Sequence, residues 1–323
     1  MTNIVYVGFI LSGALAATAL CLNAQRICNA LQLMDIPVGR KQHNAPTPLM
    51  GGITLLIAFI PPAFTFIIMF ASDRWLGSLL IWLFCISVMA LVGLGDDRHS
   101  LTPRFRLAIS FLVFATAAAI DPTFNIRVLD FSAIPFTLGL GTWWLAVTFT
   151  VICCVGLINA VNMADGKNGL VLGLSLGWLA VLSLRAVGPV LPLIGMFGIV
   201  LSVLFLFNMR GKLFLGDGGA YAIATAIGLL AIMVYNTPGT STVRAISADE
   251  LVLIFLLPVG DSFRLTYKRI RQGRSPMSAD RDHLHHHLQD RFGWPRGLVA
   301  YFVLALSPAA MVSILFFFHA NPI

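Results

Sequence analysis

Charge is what this sequence has least of. Only 11% of its 323 residues are Asp, Glu, Lys or Arg, where a soluble domain carries about a quarter. With 58% hydrophobic residues and a mean hydropathy of +0.87, that shortage points to an integral membrane protein. A hydrophilic block long enough to fold alone is also missing, so residues 1–323 read as a single polytopic membrane domain. Cysteine is scarce: Cys21, Cys28, Cys85, Cys153 and Cys154 form no CxxC pair and read as small apolar side chains. The opening MTNIVYVGFILSGALAATAL lacks the basic start of a signal peptide and more spans follow it, so a retained first helix is expected.

What is present is apolar runs of spanning length, about 17–25 residues. They predict helices near 4–21, 49–71, 76–94, 105–120, 142–162, 169–185, 188–207, 217–235, 249–263 and 297–319. The expected fold is therefore all-α, a bundle of about ten transmembrane helices. A net charge of +7 is compatible with nucleic-acid binding, but its distribution argues otherwise. Of the 21 Lys and Arg residues, all but Arg74, Arg127, Arg185 and Arg244 fall in loops on one face. By the positive-inside rule that face is cytoplasmic, and the basic excess is mostly topology.

The unusual polar stretches gather on the same face. GRKQHNAPTPLMGG (39–52) enters the second span, and GLGDDRHSLTPRFR (93–106) links the third to the fourth. NAVNMADGKNGL (159–170) links the fifth to the sixth, NMRGKLFLGDGGAY (208–221) the seventh to the eighth, and SADRDHLHHHL (278–288) precedes the last. An isolated Asp or Lys at a span's centre costs about 2.5–3.5 kcal/mol, so such groups need a polar cavity to face. Asp96, Asp97, Asp165 and Asp217 are hard oxygen donors suited to magnesium, which keeps waters and borrows substrate phosphate oxygens. Lys41, His43, Lys167, Lys212 and the histidines supply donors for anionic oxygens. Gly216, Gly218 and Gly219 let backbone amides approach a phosphate at the start of the eighth helix. Asn159, Asn162 and Asp165 recur every three residues and share a helical face. Carboxylates, cations and a metal belong together if the substrate is a diphosphate.

Each motif has a plainer reading. Asp96–Asp97–Arg98 could be a solvated helix end, and RLTYKRIRQGR (264–274) an anchor against acidic lipid. Asp261 could merely pair with Arg264 three residues on. HLHHH offers His283 and His287 at i,i+4 for a transition metal, but no cysteine or second histidine cluster completes a shell. Five motifs on one face outweigh these separate readings.

In this order, GDD, NAVNMADGKNGL, FLGDGGA and DRDHLHHHL resemble the polyprenyl-phosphate N-acetylhexosamine-1-phosphate transferases, from about Asp35 to His287. The resemblance implies transfer of a sugar-1-phosphate, N-acetylglucosamine-1-phosphate by default, from a UDP-sugar to undecaprenyl phosphate, with release of UMP. It implies a multi-pass protein of the bacterial inner membrane whose product starts a cell-surface polysaccharide such as O-antigen. Catalytic roles would fall on Asp96, Asp97, Asn159, Asn162, Asp165, His283, His285 and His286. Substrate contacts would fall on Lys41, His43, Lys212, Gly216, Gly218 and Arg281. Asp217, with Asp97, would hold Mg2+, or Mn2+ in its place. The expected partners are the two substrates and the bilayer, not nucleic acid, with a homodimer left open. The chain departs from the family at DGKNG, where Asn168 replaces a usual aspartate, favouring phosphate contact over a second metal there. Two rivals remain: transfer of phospho-N-acetylmuramoyl-pentapeptide, and a nucleotide-sugar or lipid-linked-sugar transporter. A transporter would place ionisable groups near mid-membrane and often repeats its halves, and neither pattern is seen.

Overall fold

A computed structural model describes residues 2–37, 45–132, 136–237, 246–275 and 282–320, without the side chains of 2–3 and 313–320. Lys41, His43 and Arg281 lie outside the described residues. The chain is overwhelmingly helical, and all ten predicted spans coincide with helices. Among the described residues, seven helices are long and apolar enough to cross a membrane. The chain divides into two compact units: Met1–Val113 with Val187–Ala226, and Phe114–Ala186 with Ile227–Ile323.

In the first unit, α1 (Thr2–Leu22) is followed by a short helix α2 (Ala24–Leu31) and a two-residue strand pair, β1 (Met34–Asp35) and β2 (Thr47–Pro48). α3 (Gly51–Phe70) contains a π turn at Leu55–Phe59. It falls just before Pro61–Pro62, whose missing N–H groups interrupt the regular ladder. α4 (Asp73–His99) spans about 40 Å, longer than a bilayer core. The sequence ends this helix near residue 94 and places GDDRH in a loop; the structure carries the helix through it to Ser100 (φ 51°). α5 (Pro103–Ile120) begins here, α8 (Val190–Met209) lies along α1, and α9 (Gly216–Asn236) starts in this unit. α1 meets α8 closely because Gly195 faces the Tyr6 hydroxyl, which donates to the Pro192 carbonyl at 3.2 Å.

In the second unit, a hairpin of β3 (Val128–Phe131) and β4 (Phe136–Gly139) is pinned by Tyr235. Its hydroxyl accepts the Asp130 amide at 2.8 Å and donates to the Val128 carbonyl at 2.7 Å. α6 (Trp143–Ala164) and α7 (Leu170–Ser183) flank the DGKNG turn, where Gly169 takes a left-handed φ of 82°. At 14 residues, or about 21 Å, α7 is shorter than a bilayer core. α10 (Ala248–Arg271) is apolar in its first half and basic in its second, with Pro258 inside. Its start carries a capping box: Ser247 accepts the Glu250 amide and Glu250 accepts the Ser247 amide. Glu250 also pairs with Arg185 at 3.0 Å, and both side chains are largely buried. α11 (Leu284–Phe292) leads into α12 (Arg296–Ala320). α7 approaches α12 through Gly173 and Gly177, which face Phe302 and Leu306.

Candidate active site

In the first unit the acidic residues meet where four segments end or begin. Residues 48–51 run beside 214–215: Phe214 donates to the Pro48 carbonyl at 2.8 Å, Met50 to Phe214 at 3.0 Å, and Gly51 to Leu215 at 3.1 Å. This sets the start of α3 against the start of α9. α4 brings its last turn to the same place. A β-carbon on Gly93 would lie 2.4 Å from the Asp217 carbonyl oxygen, and one on Gly51 would lie 2.4 Å from that of Leu215. Backbone therefore packs on backbone, and glycine is required.

Asp97 receives the first amides of α9. Its Oδ1 accepts the Asp217 N–H at 2.8 Å and its Oδ2 the Gly218 N–H at 3.0 Å. Helix starts leave such donors unsatisfied, and the helix dipole favours a negative charge there. Gly216 enters α9 at φ +72°, and a β-carbon on it would meet Asp97 Oδ2 at 2.8 Å. Two amides expected to face a phosphate are thus given to a carboxylate of the protein. Asp96 is buried and accepts from Arg106 Nη1. The same nitrogen donates to the Tyr221 hydroxyl at 3.0 Å and stands 3.8 Å from Asp217 Oδ2. The Asp217 side chain is 32% exposed, against 5% for Asp96.

This donor set fits a magnesium ion. It offers hard carboxylate oxygens, an accessible Asp217, and Asp97 oxygens that each keep a second lone pair. Among the described residues no three His, Cys, Asp or Glu side chains stand close enough to enclose an ion by themselves. Positions would remain for water and substrate oxygens, which is how magnesium is usually held.

In the second unit, Asn159 and Asn162 lie on the last turns of α6 and Asp165 caps it. Asn159 is exposed and donates to the Val155 carbonyl at 2.7 Å. The histidine segment is gripped by one face of α10. Asp261 Oδ2 faces His283 Nδ1 at 3.0 Å and accepts the Leu284 amide at 3.2 Å, while Asp261 Oδ1 accepts from Arg264 at 2.8 Å. Arg264 also donates to the Asp282 carbonyl, Lys268 to the Asp282 carboxylate, and His287 Nε2 lies 2.9 Å from Asp282 Oδ1. Asp261 therefore does more than pair with Arg264. It fixes the ring of His283, leaving Nε2 as the nitrogen available to a ligand. His283 and His287 do not present a joint metal face, since His283 precedes α11 in extended backbone and both rings face carboxylates.

His285 is 1% exposed and stacks against His283, ring centres 5.3 Å apart. Its Nε2 is buried with no hydrogen-bond partner among the described residues and points at Gly166, whose missing β-carbon would stand 2.9 Å from it. Burial first, then the neighbouring His286, His283 and Lys167, push its pKa down from 6.5 to about 3, against the pull of Asp261. The folded protein keeps this ring neutral, while the unfolded chain takes up a proton below about pH 6.5. Stability is therefore unpenalised above that pH and falls as pH drops from 6.5 towards 3. We expect a loss of about 2 kcal/mol between pH 7 and pH 5, read by thermal melts in detergent. His285→Gln should flatten that acid slope; an unchanged slope would remove His285 as its source.

Lys212 is exposed, its ammonium 5.8 Å from the Phe207 ring centre. Sequence reasoning missed Arg106 and Tyr221, the two side chains that bind Asp96. The signal was an arginine on the first turn of a span and a tyrosine four residues after Asp217, both in stretches already singled out.

The description glycosyl transferase family 4 matches residues 79–235, the stretch holding Asp96, Asp97, Arg106, Asn159, Asn162, Asp165 and Asp217. The chain is 28% identical over 306 residues to the undecaprenyl-phosphate alpha-N-acetylglucosaminyl 1-phosphate transferase of Yersinia pestis, covering 90% of this chain and 79% of that one. It is 29% identical over 277 residues to the protein of that name from Salmonella typhi, covering 81% and 71%. The probable undecaprenyl-phosphate N-acetylglucosaminyl 1-phosphate transferase of Bacillus subtilis is 29% identical over 272 residues, covering 82% and 72%. The resemblance carried by the motifs thus extends over most of the chain, and residues 79–235 are similar to glycosyl transferase family 4.

Proposed function

We propose that this protein transfers a sugar-1-phosphate, N-acetylglucosamine-1-phosphate by default, from a UDP-sugar to undecaprenyl phosphate at the cytoplasmic face of a bacterial inner membrane. The product would start a cell-surface polysaccharide such as O-antigen. The observation that carries this reading is the gathering of Asp96, Asp97 and Asp217 at the glycine-packed start of α9, inside the stretch matched to the family.

The lipid phosphate is the nucleophile. Its oxygen bonds to the sugar-bearing phosphorus of the donor, and the bond from that phosphorus to the oxygen bridging it to UMP breaks. A phosphate monoester has a second pKa of about 6, so the attacking group is largely ionised already. The barrier lies mainly in bringing two anions together in line. Bound magnesium would supply positive charge against that repulsion. Asp217 is the carboxylate placed to hold it, Asp97 keeps α9 and therefore Asp217 in position, and Asp96 is held by Arg106. Asn159, Asn162 and Asp165 orient the donor, Lys212 and the Gly216 backbone line its phosphates while Gly218 gives its amide to Asp97, and His283, His285 and His286 meet the diphosphate or the sugar. The unpartnered nitrogen of His285 supports that last role. Lys41, His43 and Arg281 carry further substrate contacts in this reading.

Purified protein in detergent, given undecaprenyl phosphate, magnesium and a panel of UDP-sugars, tests the reading through UMP release with and without chelator. Magnesium-dependent UMP from UDP-N-acetylglucosamine is expected. UMP from a different sugar alone would change the donor, and none from any donor would sink the reading. Asp261→Asn should lower turnover about 10–100-fold, because the amide cannot satisfy His283, Leu284 and Arg264 together. Unchanged kcat and KM in that variant would make the Asp261–His283 pair merely structural.

A further inference from the structure

Arg106 stands among the carboxylates with a role that no motif suggested. It sits on the first turn of α5, its side chain 25% exposed. One nitrogen, Nη1, serves Asp96 Oδ2 and the Tyr221 hydroxyl, with Asp217 Oδ2 at 3.8 Å. The Tyr221 hydroxyl also reaches Asp96 Oδ2, at 3.4 Å. Two donors therefore hold Asp96 Oδ2 and two backbone amides hold Asp97. Of the two carboxylates that Arg106 reaches, Asp217 is the more exposed and the more distant from the guanidinium, and so the less engaged. Three carboxylates and one guanidinium leave a formal charge of −2, which one divalent cation cancels.

We infer that Arg106, seated by Tyr221, is a positioning residue that reserves Asp96 and leaves Asp217 to the cation, its fixed charge setting how tightly the cluster binds a divalent ion. This rests on the magnesium role of Asp217 in the proposed reaction. A built-in counter-charge also has a mechanical logic. Without it, Asp96 and Asp217 would repel each other across a poorly screened site whenever the ion leaves. With it, the ion binds less tightly but always in the same place.

The test is Mn2+ binding to the full-length protein in detergent without substrate, followed by electron paramagnetic resonance of free Mn2+. Arg106→Gln removes the counter-charge and should tighten Mn2+ binding about tenfold. Arg106→Lys keeps the charge and should stay within about twofold of the parent protein. Tyr221→Phe loosens Arg106 without removing it and should tighten binding by about two- to threefold, so the inference stays testable if Arg106→Gln fails to fold. Equal or weaker Mn2+ binding in Arg106→Gln, or in Tyr221→Phe should Arg106→Gln not fold, would overturn it, as would absence of binding in the parent protein. UMP release from the same samples separates the two readings. A parent protein that binds Mn2+ but forms no UMP sinks the transferase and spares Arg106. A parent protein that forms UMP, with a glutamine variant of unaltered Mn2+ affinity, sinks Arg106 alone.

Discussion

Asp217→Asn should abolish UMP release, by about a thousandfold or more, while the protein stays folded and inserted. Asparagine has nearly the same shape, and the backbone amide of residue 217 would still donate to Asp97 at the start of α9. The glycine contacts around it would be untouched. What disappears is one negative charge on a carboxylate that is far more exposed than Asp96. The loss should therefore appear in kcat, with gel-filtration profile and circular dichroism unchanged. Turnover above about a tenth of the parent value would take Asp217 out of the metal role.

Gly93→Ala should cost about a hundredfold in turnover although residue 93 touches no substrate. Its β-carbon would stand 2.4 Å from the Asp217 carbonyl oxygen and 2.5 Å from the Gly218 Cα. Both neighbours are backbone, so no side chain can rotate away. α9 must move at the residue that carries the chemistry, and overpacking of this kind also costs about 1–3 kcal/mol of stability. Gly95, on the same helix, is the control: a β-carbon there meets nothing nearer than Leu101 Cδ1 at 3.5 Å. Gly95→Ala should leave turnover within about twofold. Equal losses in the two variants would show that the effect is general to α4 and not transmitted through Asp217.

The helices were legible because apolar length is written plainly in the sequence, and all ten runs became helices. Their ends were less so. GDDRH reads as a loop because it is polar, yet it stays helical; Asp97 finds partners across the packing interface that no local pattern reveals. The histidine segment was visible as a motif, but not its dependence on Asp261. That contact joins residues 22 apart in the chain. Arg106 was counted only as a loop charge, because its position between two carboxylates arises from packing of α4, α5 and α9. The short α2 and α11 and the β3–β4 hairpin were missed for a different reason. Each is too brief for periodicity to register, and tertiary contacts such as Tyr235 hold the hairpin in place.

α10 is tied down at both ends. Glu250 is fixed at one by Arg185 and Ser247, and Asp261, Arg264 and Lys268 grip the histidine segment at the other. A rod clamped in this way cannot slide along its axis or turn about it without breaking buried ion pairs. Pro258, three residues before Asp261, removes one rung of the ladder, and the Ile254 carbonyl left by it accepts the Trp178 indole N–H at 2.8 Å instead. α10 is thus a braced strut: with the gap at Pro258 filled and both ends tied, it presents Asp261, and through it the His283 ring, at one fixed place.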